Sequence, residues 1–278
     1  MRYLKQVFDF YLNASIHVAL AVYALAWITL KEFGLGYDEN VLYFIFFATI
    51  TGYNFIKYFG LAKFHHRSLA NWLKVIQVFS AICFLLLCYY AFQLELRTLG
   101  YLAGFGVITF LYAIPFLPKK IFLDNQQNLR SISGLKIYVI ALVWAGVTVC
   151  IPLINNDAGL FTTDVILTLI QRFLLVIVLM LPFEIRDLKY DSLKLATLPQ
   201  QIGVKETKTL GVLLLIVFYF IEFFKTGLNA NSAAIVLVTT CITLLFLVFS
   251  KTGQGKYYSA FWVESIPIWW LVMLLVFG

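Results

Sequence analysis

Charged side chains are scarce in this chain. Asp, Glu, Lys and Arg make up 13% of the 278 residues, whereas 62% of the residues are hydrophobic. A soluble globular protein has roughly 25% charged and roughly 45–50% apolar residues. The composition therefore excludes an ordinary soluble domain and indicates a protein embedded in a membrane.

Cysteine and histidine are also few. The four cysteines fall in apolar stretches without a C-x-x-C spacing, and there are three histidines. This pattern indicates neither a zinc site nor a disulfide framework. The net charge of +7 would suggest nucleic acid as a partner of a soluble protein. In a membrane protein it indicates orientation and affinity for anionic lipid or diphosphate groups, so we expect no nucleic-acid partner.

Long runs without charge divide the sequence. Asp9 and Lys31 are separated by 21 uncharged positions, and Lys225 and Lys251 by 25. About 20 apolar residues cross a bilayer core of ~30 Å, and a helix satisfies its own backbone hydrogen bonds there. We therefore predict an all-α polytopic membrane protein, with residues 1–278 as one domain. Its nine predicted transmembrane helices are 9–30, 41–58, 71–92, 98–117, 136–155, 164–183, 208–224, 232–250 and 257–277.

The distribution of Lys and Arg predicts the orientation of these helices. Sixteen of the 21 basic residues fall at the N-terminus or in the even-numbered loops, and three, Lys31, Arg97 and Lys225, fall in the odd-numbered loops. Cytoplasmic loops carry an excess of Lys and Arg. We therefore expect the N-terminus and the three long loops to face the cytoplasm, in the inner membrane of a bacterium.

Three carboxylates follow the sixth predicted span at positions i, i+3 and i+7: Glu184, Asp187 and Asp191. At about 100° per residue they lie on one stripe of a helix, where a hard cation such as Mg²⁺ would relieve their repulsion. The same geometry places Lys194 on this face and predicts that Arg186 and Lys189 point elsewhere. An ordinary solvated helix end with i, i+3 and i+4 charge pairs is an alternative interpretation.

The residues after this stripe add a longer pattern. Together the positions are Glu184, Asp187, Asp191, Thr197, Leu198, Pro199 and Gly203. This stretch resembles the second aspartate-rich signature of the UbiA superfamily of intramembrane prenyltransferases. It departs from that signature in having Glu as the first acid and a shorter loop without the usual glycine. The superfamily also has nine transmembrane helices, so the resemblance covers the whole chain.

The resemblance implies a helical bundle around a central cavity with a cytoplasmic cap. There, Mg²⁺ held by Glu184, Asp187 and Asp191 would bind an isoprenyl diphosphate, and a lipophilic or aromatic acceptor would attack the allylic cation that forms. Asp187 and Asp191 would be the catalytic pair. Metal ions stabilise such a leaving group as Lewis acids. The expected partners are therefore isoprenyl diphosphate, the acceptor and membrane lipid.

The first aspartate-rich motif of the superfamily is missing. Asn54 occupies the position of its Asn, but Tyr58 and Ala62 stand where aspartates are expected. No Asp or Glu occurs between Glu39 and Glu95. The chain therefore either binds the diphosphate through one acidic motif and basic residues, or keeps the fold as a non-catalytic protein that binds an isoprenoid lipid or a membrane partner. Secondary transport is a weaker third reading, because no spans broken by Gly or Pro occur in matching halves.

Basic residues supply the remaining candidate ligands of the diphosphate. The run from Tyr112 to Lys120 is similar to a Tyr followed by a basic pair in the superfamily. The alternative is that these residues only enforce topology. The complete set of predicted substrate-binding residues is Asn54, Lys57, Lys63, Lys119, Lys120 and Lys194.

Two charged residues stand out at membrane depth, Arg172 in the sixth predicted span and Glu264 in the ninth. Such charges usually face the bundle interior and have a partner. Arg172 precedes Glu184 by twelve residues, about 18 Å along a helix, whereas Glu264 lies early in the ninth span, towards its cytoplasmic half. We therefore expect the two at different depths, with no salt bridge between them. Glu264 would either line the cavity or make a helix contact.

Overall fold

The computed structural model describes residues 2–59, 70–113, 134–189, 197–227 and 229–278. Within these ranges the regular structure is helical throughout, which confirms the all-α prediction. The helices are α1 (Arg2–Asn13), α2 (Ile16–Glu32), α3 (Glu39–Phe59), α4 (Ala70–Ala91), α5 (Leu96–Ala113), α6 (Leu135–Ala145), α7 (Ile151–Asn155), α8 (Thr163–Asp187), α9 (Leu198–Ile202), α10 (Val204–Ile221), α11 (Ala230–Val248) and α12 (Ile266–Phe277). π-Helical segments, Gly146–Cys150 and Tyr258–Val263, join α6 to α7 and precede α12.

Six helical segments in the described ranges are long and apolar enough to cross a membrane, or seven if the bent pair α1–α2 counts as one span. This confirms an integral membrane protein. Within the described ranges each of the nine predicted spans overlaps helix, but α3 falls outside that set and α5 is a shorter apolar helix. Nine membrane crossings, and a cytoplasmic N-terminus, therefore stay predictions.

The first predicted span is not one straight helix. The chain bends by 54° between α1 and α2, and Ser15 at the bend has φ 61°, in the left-handed region. Left-handed backbone is strained for a residue other than glycine and persists only where its surroundings impose it. Here Ser15 is fully buried and its hydroxyl donates to Asn54 Oδ1 at 2.8 Å.

The helices form a ring that the short helix α7 completes. Around it, α2 packs on α3, α3 and α5 both contact α7, and then α5 packs on α6, α6 on α8, α8 on α10, α10 on α11, α11 on α12 and α12 on α2, with α4 outside against α3. We call the end at which α3 and α8 finish the inner end. The charge bias predicts that this end faces the cytoplasm. The predicted cytoplasmic cap stays a prediction, because residues 60–69, 114–133 and 190–196 lie outside the described ranges.

Gly146 lets the Phe105 side chain of α5 pack closely against the first π-helical segment. A Cβ built at this position would overlap the ring of Phe105 on α5. Because packed interiors leave little room for such overlap, any larger residue would push α5 away from the π-helical segment.

An ionic cluster lies at the opposite, outer end. Its members are Glu32, Gln171, Arg172, Glu222 and Lys225, and we call it the outer ionic cluster. Gln171, Arg172 and Glu222 are buried in it. Arg172 Nη2 lies 3.9 Å from Glu32 Oε2, and the guanidinium lies over the Trp270 ring at 4.9 Å. Lys225 Nζ donates to Glu222 Oε2 at 3.0 Å and to Gln171 Oε1 at 2.7 Å. The expected depth separation holds, since the acid beside Arg172 is Glu32 rather than Glu264.

Candidate functional site

The ring encloses a cavity of about 550 Å³, which we call the central cavity. α2, α3, α6, α8 and the segment around α12 line it, mostly with apolar side chains such as Val18, Val143, Val176 and Met180. Binding sites for small molecules are typically concave, mostly apolar and of ~300–1,000 Å³. The central cavity therefore has the size and lining of a site for a largely apolar ligand.

Charged side chains gather at the inner end of this cavity. The lining residues Lys57, Lys136, Arg186, Asp187 and Glu264 come from α3, α6, α8 and the turn before α12. Three cations and two carboxylates thus face one end of a space that is otherwise apolar. This arrangement is complementary to an amphiphile with an anionic head and a long apolar tail.

Lys57 is positioned by a chain of hydrogen bonds that begins at the helix bend. Its Nζ donates to Ser15 Oγ at 2.9 Å, and Ser15 Oγ donates to Asn54 Oδ1. Asn54 Nδ2 donates to Ala14 O at 3.0 Å and to Ser80 Oγ at 2.8 Å. Asn54 is buried and absent from the described lining of the cavity. It therefore lies behind Lys57 and positions it through Ser15.

Glu184 is buried in the wall rather than exposed to the cavity. The residue is 1% exposed, and its Oε1 accepts a hydrogen bond from Lys136 Nζ at 2.8 Å. A buried carboxylate requires such a partner, because it loses its hydration when the chain folds. Glu184 thereby fixes Lys136 at the charged end.

Asp187 reaches the cavity together with Arg186. Asp187 Oδ1 accepts from Arg186 Nε at 2.7 Å, and Oδ2 accepts from Nη2 at 3.2 Å. The expectation that Arg186 points elsewhere is wrong. Its long side chain folds over the Phe183 ring, 5.2 Å from the ring centroid, and so reaches the cavity despite the direction of its Cβ. Lys189 is exposed.

Glu264 lines the cavity near Lys57 and Arg186, whose charges attract it. It comes directly after the π-helical segment Tyr258–Val263. π-Bulges recur at functional sites because they shift the direction of the side chains that follow. Of the two roles expected for Glu264, cavity lining is the one observed.

Five predicted site residues lie outside the described ranges: Lys63, Lys119, Lys120, Asp191 and Lys194. The turn that follows them is described. At the start of α9 the Thr197 backbone N–H donates to Gln200 Oε1 at 3.0 Å, and Gly203 ends α9 with φ 87°. The positive φ explains why glycine follows the Thr-Leu-Pro sequence.

The described residues do not by themselves fit a Mg²⁺ site. Among them, no group of three or more His, Cys, Asp or Glu side chains is arranged to hold a metal ion. Of the predicted ligands, Glu184 is paired with Lys136 and Asp187 with Arg186, and Asp191 is outside the described ranges.

Comparison with known proteins gives one structural relative. The fold is similar to that of a digeranylgeranylglyceryl phosphate synthase in membranes, with a TM-score of 0.55 and 15% sequence identity over 100% of this chain and 99% of that chain. No protein-family model matches the sequence. No curated protein matches it either. The comparison thus shows a shared fold along the whole chain.

Proposed function

We propose that this protein is an intramembrane prenyltransferase, which moves an isoprenyl group from its diphosphate to a lipophilic or aromatic acceptor. The observation that carries the proposal is an apolar cavity inside the helical ring with cationic side chains at one end. The structural relative is a UbiA-type prenyltransferase, which agrees with the superfamily that the acidic stripe resembles. Fold and cavity thus favour the same class of reaction.

Lys57, Lys136 and Arg186 would hold the diphosphate. A lysine presents a compact charge, and an arginine can donate two parallel hydrogen bonds to phosphate oxygens. As the bond between the allylic carbon and oxygen breaks, its electron pair leaves with the diphosphate, and these cations stabilise the added charge. The residues Lys63, Lys119, Lys120 and Lys194 remain predicted additional ligands.

The acceptor would then attack the allylic carbon, and its proton needs a base. Glu264 faces the cavity at the same end, whereas Glu184 and Asp187 are paired with basic neighbours. We assign the proton to the Glu264 carboxylate. The apolar walls exclude water, which would otherwise capture the cation.

Mg²⁺ is part of the proposal because Glu184, Asp187 and Asp191 follow one another at a spacing that suits a hard cation. One Mg²⁺ held by Asp187 and Asp191, with Glu184 behind them, would neutralise the leaving diphosphate when bound. Since the described residues supply no complete ligand set, the dependence on Mg²⁺ is a matter for experiment. Turnover measured with Mg²⁺ and after its removal by EDTA tests it directly.

The transferase itself is tested with purified protein in nanodiscs. Labelled geranyl, farnesyl or geranylgeranyl diphosphate is supplied with phenolic or glycerol phosphate acceptors, and the release of diphosphate and the labelled product are measured. We expect Lys57→Met and Asp187→Asn each to lower kcat/KM by about 10- to 100-fold, which corresponds to a lost charged hydrogen bond. Lys189→Met, at an exposed position just beyond the end of α8, is the matched control and keeps full activity. Turnover unaffected by both site variants would overturn the proposal.

A non-catalytic lipid-binding protein is the second candidate. The pairing of Glu184 with Lys136 and of Asp187 with Arg186 favours it, because both acids then have structural partners. This candidate predicts tight binding of an isoprenoid alcohol without diphosphate or metal, and no turnover with any of the three diphosphates.

A further inference from the structure

A second apolar cavity adjoins the central cavity. It has a volume of about 590 Å³ and lies between α3, α4, α5 and α6, and we call it the side cavity. Nearly all its lining is apolar, and it lacks the charged end of the central cavity. The two cavities share five lining residues: Tyr53, Ile56, Thr109, Val143 and Trp144.

A hydrogen-bonded aromatic pair stands at this shared wall. Trp144 Nε1 donates to Tyr53 Oη at 3.0 Å, which joins α6 to α3. Separating the two rings leaves the Trp144 N–H and the Tyr53 hydroxyl without this hydrogen bond in a mostly apolar space, which costs about 1–3 kcal/mol. The pair therefore opposes a ligand that fills both cavities, and only a chain with enough apolar contact beyond the wall offsets that cost.

The side cavity continues the central cavity away from the charged end. Along α6 the lining begins with Lys136 at the charged end, passes Val143 and Trp144 at the shared wall, and reaches Val147 in the π-helical segment. At ~1.5 Å per residue, Lys136 and Val147 are about 16 Å apart along the helix. A chain with its anionic head at Lys136 and its tail along α6 would therefore arrive at the side cavity.

We propose that the side cavity binds the distal end of a long isoprenyl chain, and that the Tyr53–Trp144 pair separates short from long chains. The inference rests on the proposed function for the identity of the head group. The continuity of the two cavities favours this occupant over an acyl chain from the bilayer, although Phe55, Phe84 and Phe110 at the outer edge are 44%, 51% and 46% exposed. Tyr53 and Trp144 are in this view specificity-determining residues.

Two glycines make a direct test possible. Gly52 on α3 and Gly106 on α5 line the side cavity, and a Cβ at either position meets no atom within 4 Å. A Cβ at Gly106 therefore has room, and Gly106→Leu adds apolar volume at a residue that lines the side cavity. Gly104→Leu is the matched control, because its Cβ also meets no atom within 4 Å and Gly104 is not among the residues lining either cavity.

The measurement is the binding of labelled geranyl, farnesyl and geranylgeranyl diphosphates to the full chain in nanodiscs, without acceptor. We expect Gly106→Leu to weaken the binding of geranylgeranyl diphosphate at least about tenfold relative to that of geranyl diphosphate. The reason is that a pocket discriminates between ligands by the methylene groups that it has no room for. Gly104→Leu should keep the wild-type ratio, and Tyr53→Phe should shift the preference towards the longest chain. Gly52→Leu provides an independent blocking variant, and thermal unfolding verifies that each variant is folded.

The binding readout keeps the two proposals distinguishable. If the protein binds the diphosphates but never turns them over, the transferase fails while the chain-length ratio still tests the side cavity. An unchanged ratio in both glycine variants overturns the inference. So does native mass spectrometry in which Gly106→Leu displaces a bound phospholipid while the isoprenyl preference stays constant, since the occupant is then a bilayer lipid.

Discussion

The outer ionic cluster and the charged end of the central cavity contain the same kinds of residue but have different roles. At the outer end, Glu32 and Glu222 face Arg172 and Lys225, and Arg172 and Glu222 are buried between helices. At the inner end, Lys57, Arg186 and Glu264 face a space of about 550 Å³. Charges that are sealed against one another stabilise the helix packing, whereas charges that border a cavity remain available to a ligand.

Arg172 also shows what the sealed arrangement costs. It is 1% exposed, and its Nε and Nη1 have no hydrogen-bond partner among the described residues. Its Nη2 donates to Thr29 Oγ1 at 3.3 Å. The incomplete hydrogen bonding means that the Glu32 charge and the Trp270 ring carry much of its stabilisation.

The largest expected effect tests the sealed side of this comparison. Arg172→Ala removes a fully buried side chain with its packing on Trp270 and its charge beside Glu32. Because this leaves a cavity in the core, the free energy of unfolding should fall by about 2 to 5 kcal/mol. Arg97→Ala is the control, because its partner Asp157 is 3.7 Å away and both side chains are largely exposed. Unfolding in mixed detergent micelles measures both. If the two variants lose similar stability, the outer ionic cluster is not a structural element.

An intermediate effect is expected within the inner end itself. Glu184→Gln removes the charge that holds Lys136, so the free energy of unfolding should fall by about 1 to 3 kcal/mol. Asp187→Asn should change the free energy of unfolding by less than that, because Asp187 is partly exposed at the cavity. Chemical unfolding of both variants, beside the binding of geranylgeranyl diphosphate, separates the roles. A reversed order of stabilities would show that Asp187 is the structural acid.

The smallest effect comes from an exposed ion pair near the inner end. Lys256 Nζ lies 2.6 Å from Asp9 Oδ1, and the hydrogen bond to Asp9 raises the pKa of Lys256. A raised pKa in the folded state means that the stabilisation is complete below the ordinary lysine pKa and is lost as the pH rises through the raised value. Lys256→Met should lower the free energy of unfolding by less than about 1 kcal/mol at neutral pH, and by a smaller amount at high salt. Thermal unfolding across pH and salt measures this, and a loss independent of both would contradict it.

Much of the fold follows from the sequence, because the bilayer imposes long uncharged helices. The runs between charged residues locate the helical segments. The bend at Ser15 cannot be predicted from the sequence in this way, because neither glycine nor proline occurs at it. Its cause is a hydrogen bond to Asn54, 39 positions away, and a contact of that kind depends on the packing of α2 on α3.

The site is predictable in part for the same reason. Lys57 and Asp187, both expected at the diphosphate, do line the cavity. The roles of Arg186, Lys136 and Glu184 depend on how long side chains fold and on which helix faces α8, which the spacing along one helix does not contain. The signal for Glu264 was present, since a carboxylate at membrane depth requires a polar environment.

The bend at Ser15 has a consequence for the surrounding lipid. α2 has 17 residues, which span about 26 Å at ~1.5 Å per residue, less than the ~30 Å of a typical hydrocarbon core. α1 leaves at 54° and exposes Tyr3, Leu4 and Val7, an apolar face typical of a helix that lies along the headgroup region. If α2 alone crosses the hydrocarbon core, its length matches a bilayer that is thinned beside it.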